Sequence, residues 1–380
     1  MVSRRQNDAE NFCRLSTPST GRTPGRSNLL GMNVRMLSSV ALLAATCATA
    51  AAQELLVISK KDHTVALVDP YALTIKGKVP VGNDPHEVIA SDNGRTAWVT
   101  NYGSGAFHSL AVIDLLHDKA LPSIDLGALT GPHGLAFADG KMWFTAEGAK
   151  VFGRLDPATH KVDLVVGTGQ DRTHMIYASP NGAHVITTNV TSGTVSLLDA
   201  RAVRLGPPSP GPGAAPPPGP PPAGEPTGTH IDWEQTVIKV GPGSEGFDVS
   251  PDGHEVWVAN AGDGTVSVID WLQRKVIATI QANAKGGNRL KFTADGKMAL
   301  ITAGGEVVVL DTATRSVVKR VTVGKGPTGG ILMQPGVPRA FIACSGDNYV
   351  AVLDLKTWKV TEHIDVGGEP DGMAWAPKPR

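Results

Sequence analysis

The sequence predicts an all-β fold, a seven-bladed β-propeller with four antiparallel strands per blade, and three observations predict it. An apolar strand ending in Asp recurs seven times. Turn residues divide each repeat into short extended runs. The two ends of the repeating body supply complementary parts of one blade.

The repeating strands end at Asp69, Asp114, Asp156, Asp199, Asp270, Asp311 and Asp354, with spacings of 45, 42, 43, 71, 41 and 43 residues. A period near ~42 residues with four strands per unit is the signature of propeller blades. One four-stranded unit cannot bury its own faces, but units stacked around an axis can. The fifth repeat shows the pattern most plainly. Gly246 to Ser250 reads as an inner strand A and Glu255 to Asn260 as strand B. Thr265 to Asp270 alternates as strand C, and Val276 to Gln281 forms the outer strand D. Between A and B, Ser250-Pro251-Asp252-Gly253 is a turn: Pro presets φ and Gly accepts a positive one. No window keeps a helical period. The recurring Asp residues read as turn caps that accept backbone N–H groups after strand C. Trp98, Trp143 and Trp257 fall at strand-B positions and read as packing between blades.

Ring closure is also written in the sequence. The body opens on Glu54-Leu55-Leu56-Val57-Ile58-Ser59, a strand B without a preceding strand A. It ends on Gly368 to Pro377, a strand A without a following strand B. The C-terminal strand therefore completes the N-terminal blade.

Two segments stand outside the repeat. Residues 32–52 read as a signal peptide: Arg35 gives the positive start, Met36 to Ala48 the apolar stretch, and Ala50-Ala51-Ala52 a small-residue cleavage site before Gln53. Residues 1–31 are a polar, Arg-rich upstream extension without pattern, and translation is expected to start at Met32 or Met36. The predicted location is periplasmic or secreted. The long fourth spacing reflects a Pro/Gly-rich insert at 205–232, with 11 of the 28 prolines between Pro207 and Pro226. It reads as a loop expansion, or as a polyproline segment that docks a partner. The domain proper is residues 53–380.

Composition limits the function. Residues 1–52 hold six of 35 Lys/Arg and two of 35 Asp/Glu, leaving 29 basic against 33 acidic residues and a net charge of −4 on the remaining 328. A mildly acidic body argues against a nucleic-acid partner. No run of 18 apolar residues predicts a transmembrane span in the body. Cys13 and Cys47 precede the cleavage site, so Cys344 is the one remaining thiol and no internal disulfide can form. Its apolar setting, Ala340 to Ala343, reads as a buried inert thiol. A closed ring has no free sheet edge, so a monomer is expected. The sequence contains no Gly-rich phosphate loop, His-Glu-x-x-His helix or Gly-x-Ser-x-Gly elbow.

The motifs Trp98-Val99-Thr100-Asn101, Thr187-Thr188-Asn189 and Trp257-Val258-Ala259-Asn260, each followed by a Thr-Val-Ser-Val-Ile-Asp-like strand, resemble the YVTN-type, YncE-like β-propeller repeat. The resemblance covers residues 54–380 outside the insert. Blades three, six and seven lack the Asn, at Phe144-Thr145-Ala146-Glu147, Ile301-Thr302-Ala303-Gly304 and Ile342-Ala343-Cys344-Ser345. The resemblance implies the fold. It spans functions from binding proteins to enzymes.

A propeller binds at the mouth of its axial channel, where each strand A begins. Aligning those starts places His86, His133, His174, Glu245, Asn288, Thr328 and Asp371 at one station around the ring. Closure makes Asp371 the neighbour of His86, so one arc reads Asp, His, His, His, Glu. His63 and His108 lie in loops on the same face. Imidazole and carboxylate together suit Zn, Cu, Fe or Ni. His86, His133 and His174 are the candidate metal ligands. Glu245 and Asp371 are the candidate catalytic carboxylates, as fourth ligand or general base. The leading expectation is a non-catalytic exported propeller that binds an unknown protein or small-molecule ligand at this mouth. The alternative is a metal-dependent hydrolase or lyase, as in the lactonases and the streptogramin lyase whose propellers use related sites. A copper redox protein is the third reading.

Overall fold

Local turn chemistry sets the strand lengths here, and a computed structural model of the chain describes residues 53–205 and 228–378. The expected upstream extension and signal peptide lie outside the described residues. The described residues form seven four-stranded antiparallel sheets, each one blade. In blade one, Pro370–Pro377 pairs with Gln53–Ser59 in a register that runs from Gln53 opposite Pro377 to Ser59 opposite Pro370. The C-terminal strand is thus the innermost strand of the N-terminal blade, and the ring closes as the sequence requires. No helix among the described residues is long and apolar enough to cross a membrane.

Strand B of each blade is a near-continuous apolar run because it is buried on both faces. Side chains alternate across a strand, so successive residues serve opposite seams. Leu56 and Ile58 join the seam with blade two, alongside Ala97 and Val99. Leu55 and Val57 join the seam with blade seven, alongside Phe341 and Val352. The core among the described residues divides into seven such clusters, one per seam. The tryptophans are the seam wedges expected from their strand-B positions. Trp98 packs beside Phe144, Trp143 beside Val185, and Trp257 edge-on to Phe292 at 5.5 Å.

Six of the seven recurring Asp side chains cap the turn after strand C, as at Asp69, whose Oδ1 accepts the N–H groups of Tyr71 and Ala72, both at 2.9 Å. Asp199 does not, because its strand does not turn there. Thr194–Leu205 and Gly228–Lys239 continue as a paired ribbon out to Leu205 opposite Gly228. The insert expected at 205–232 thus leaves and re-enters the blade through this ribbon. Its last five residues are strand, and only 206–227 lie outside the described residues. Asp199 instead holds His184 at 2.6 Å and the guanidinium of Arg274. Cys344 is buried, and burial pushes its thiol up to about 12, as an inert core residue requires.

Candidate metal centre at the channel mouth

The Thr of the strand-B motif positions the mouth. Thr145 accepts the N–H of Gly134 at 2.8 Å in its own blade and donates to the carbonyl of His174 in the next. Thr188 repeats this between Met175 N–H at 3.3 Å and the carbonyl of Glu245 at 2.8 Å. Each hydroxyl ties one inner strand to the start of the following one, which fixes the histidines relative to one another. Entry into the strands is sharp. Asp84, Gly131, Arg172, Gly243, Gly286 and Glu369 all adopt positive φ just before strand A. For Asp84, Arg172 and Glu369 this is a strained backbone held in place by the surrounding contacts.

The three histidines converge. The His86 and His133 ring centroids are 5.0 Å apart, and those of His133 and His174 are 3.9 Å apart. Glu245 joins the arc, with its Oε1 3.1 Å from His174 Nε2. Asp371 lies at the other end, 3.6 Å from His86 Nδ1, while Asp84 holds His86 Nε2 at 3.0 Å. In blade seven the register differs by one residue from the sequence alignment. Ile331 opposite Ile342 is level with Leu290 opposite Ile301 in blade six, which brings Gly329 rather than Thr328 to the station of Asn288. A Cβ at 329 would lie 2.6 Å from Asp371 Oδ1, so the Asp371 side chain would have to shift.

A second arc, missing from the strand-A alignment, comes from the residue that follows each strand B. Lys60, Tyr102 and Glu147 occupy this position in blades one, two and three. Glu147 is the key member. Its Oε1 bonds His174 Nδ1, and its Oε2 accepts the Tyr102 hydroxyl at 2.5 Å and Arg172 Nε at 3.3 Å. The Tyr102 ring is 4.7 Å from His86 and 5.1 Å edge-on from His133. Lys60 Nζ sits 3.6 Å from Asp371 Oδ2. The sequence did carry a signal for Glu147, since it ends the quoted blade-three motif where other blades have Tyr102, Val190 or Ala261.

The electrostatics differ sharply along the histidine arc. Burial disfavours charge on His174, but Glu245 and Glu147 outweigh it and raise the imidazole to about 9. Glu245 is correspondingly held down at about 2, the His174 charge overcoming burial. His133 has no carboxylate of its own. Burial, then His174 and His86, push it well below its ordinary range. His86 is lowered by burial, against the pull of Asp371. The site thus holds one imidazolium between two carboxylates, beside two neutral imidazoles.

Two nitrogens in this cluster lack hydrogen-bond partners among the described residues: His133 Nδ1 and His174 Nε2. The second faces Glu245 Oε1 at 3.1 Å and is satisfied by that ion pair. Both residues are almost wholly buried. Buried polar atoms are normally satisfied, so the gap at His133 Nδ1 points to a missing partner. His133, Glu147 and His174 each offer one ligand atom, and these atoms all lie within 4.8 Å of one another. Two imidazoles and a carboxylate suit a borderline divalent ion. Of the three histidines expected as ligands, His133 and His174 join this triad, while His86 stands beside it between Asp84 and Asp371.

The fold has solved counterparts. The chain is similar to a functionally unknown protein from Desulfotomaculum acetoxidans DSM 771, with a TM-score of 0.67 and 14% identity over 85% of this chain and 98% of that one. It is similar to Kuenenia stuttgartiensis hydrazine synthase, with a TM-score of 0.61 and 17% identity over 79% of this chain and 92% of that one. It is also similar to the dihydro-heme d1 dehydrogenase NirN in complex with DHE, with a TM-score of 0.55 and 14% identity over 85% and 75% of the two chains. At these identities the likeness shows the propeller fold alone. No protein-family model matches the chain, and no curated protein matches it in sequence.

Proposed function

We propose that this chain is an exported binding propeller of the YVTN type whose channel mouth takes up a transition-metal ion on His133, His174 and Glu147. The observation that carries this is a triad of buried metal-ligating residues in which His133 Nδ1 has no hydrogen-bond partner among the described residues. Zn, Cu, Fe and Ni fit this donor set. The ion would take the place of the proton that His174 now holds, so uptake releases that proton. Tyr102 and Arg172 orient Glu147 through its second oxygen, as outer-shell partners do at metal sites. Three protein ligands leave a coordination position for a small-molecule or protein ligand at the open end of the channel.

A hydrolase or lyase is the second reading. It is favoured by His86, a neutral imidazole outside the triad, flanked by Asp84 and Asp371 and 5.0 Å from His133 between ring centroids. A bound ion would supply Lewis acidity and a water of lowered pKa. His86 or Glu245 could then hold the proton.

Isothermal titration of the purified, chelator-treated protein with zinc, copper and nickel tests the primary reading. The expected result is one ion per chain, lost in His133→Ala and in Glu147→Gln. Absence of stoichiometric binding, or equal affinity in both variants, would overturn it. Turnover of lactone esters by the loaded protein, abolished in His86→Gln without loss of metal, would favour the second reading.

A further inference from the structure

The axial channel does not end at the histidine arc. One residue further along the inner strands, Glu87 of blade two and Arg289 of blade six form an ion pair across the ring. The two blades are three places apart in a ring of seven, so this pair bridges the channel. Beyond it lies a second chamber of about 360 Å³, walled by the inner strands of all seven blades.

The wall of this chamber is two-sided. Strand pairing brings Ile89, Tyr177, Asp248, Lys291 and Leu332 to one level. Tyr177, Asp248 and Lys291 stand on three consecutive blades and form a polar arc. Leu135, Phe247, Leu332, Met373 and Trp375 make most of the remainder apolar. Within the polar arc each Asp248 oxygen already accepts one hydrogen bond. Asp248 takes Lys291 Nζ at 3.1 Å on one oxygen and the N–H of Phe292 at 3.0 Å on the other. Spare donors remain: an ammonium has three N–H bonds, and Lys291 directs one of them to Asp248. The Tyr177 hydroxyl has no hydrogen-bond partner among the described residues, and burial together with Asp248 keeps it protonated. Small-molecule sites have this character: an apolar cavity of a few hundred Å³ with a small number of converging polar groups.

We propose that this chamber is a second binding site, separate from the mouth, for a small amphiphilic carboxylate. The carboxylate accepts from Lys291 and Tyr177, and the apolar body lies against Phe247, Leu332 and Trp375. An anionic head is favoured over a cationic one, because a second ammonium would stand beside the Lys291 charge.

The test uses 4-phenylbutyrate and its amine counterpart, 4-phenylbutylamine, as probes of equal apolar bulk. Calorimetry is expected to show 1:1 binding of the carboxylate, at least about tenfold tighter than the amine. Lys291→Met should weaken the carboxylate about tenfold and remove the discrimination. Leu332→Trp should fill the chamber and abolish binding. Methyl NMR places the probe: the Met373 and Met175 signals should move on its addition. Failure of both probes to bind at millimolar concentration overturns the proposal, as does equal affinity for the amine. Binding that leaves both methionine signals unmoved overturns it too. If Leu332→Trp does not fold, unchanged affinity in Lys291→Met is sufficient refutation.

Discussion

The ion pair across the channel gives the sharpest stability prediction. Glu87 and Arg289 are 8% and 6% exposed. Arg289 also donates to Asn288 Oδ1 at 2.9 Å, so its guanidinium is held on two sides. Burial disfavours its charge, yet Glu87 together with Asp371 and Glu245 raises its pKa. Removing one member of a buried pair strands the other and costs about 3–5 kcal/mol. Removing both and filling with apolar volume is often near neutral. Unfolding entropy of roughly 2.1 cal/mol/K per residue over a body of 328 residues gives ~0.7 kcal/mol per degree. Arg289→Met and Glu87→Met should therefore each lower Tm by about 4–7 °C. The double variant should recover at least half of the summed loss. Differential scanning calorimetry of the four proteins at one pH completes the cycle. Additive losses, or single variants within 1 °C of the parent, would refute the account of a coupled buried pair.

Stability should also follow the His174 cluster. Its pKa is raised when folded, so its contribution is complete below its ordinary 6.5 and disappears as pH rises through about 9. Glu245, held at about 2, contributes above its ordinary range and loses that contribution as pH falls through about 2. The two shifts describe one interaction, worth about 3 kcal/mol counted once. Urea unfolding of metal-free protein at pH 6, 8 and 10 should show this loss, and His174→Gln should flatten it; parallel slopes in both proteins would contradict the assignment. Gly372→Ala places a Cβ 2.3 Å from the carbonyl of His86, and should lower stability by about 1–3 kcal/mol and disturb the mouth. Gly167→Ala meets nothing within 4 Å and serves as the neutral control. Trp257→Ala empties a seam between blades five and six and should cost about 3–5 kcal/mol by chemical denaturation, with m-value unchanged.

The architecture was legible because it is periodic. The Asp at the end of strand C marks each blade, and the orphan strands at the two ends mark closure. The inner half of the mouth was legible for the same reason, since His86, His133, His174, Glu245 and Asp371 share one station. Glu147 is harder to read because it ends the blade-three motif as a departure from the repeat. Glu87 and Arg289 had no sequence signal, being 202 residues apart and joined only by the diameter of the ring. The ribbon after Asp199 was hidden by its Pro-rich neighbour, whose composition dominated that stretch. In blade seven the pattern points to Thr328 because Gly329 and Gly330 carry no side chain to mark the register.

Closure by the last strand has a temporal consequence. Gln53 pairs with Pro377, so blade one joins the first and final parts of the folding body. A chain made from its N-terminus holds Leu55 and Val57 without their inner neighbours until more than 300 further residues exist. Contacts this distant in sequence are slow to form, and an open strand edge invites pairing with other chains. The later blades can stack as they emerge. The ring itself becomes a ring in one late event, and before that event neither the mouth nor the chamber behind it has a complete wall.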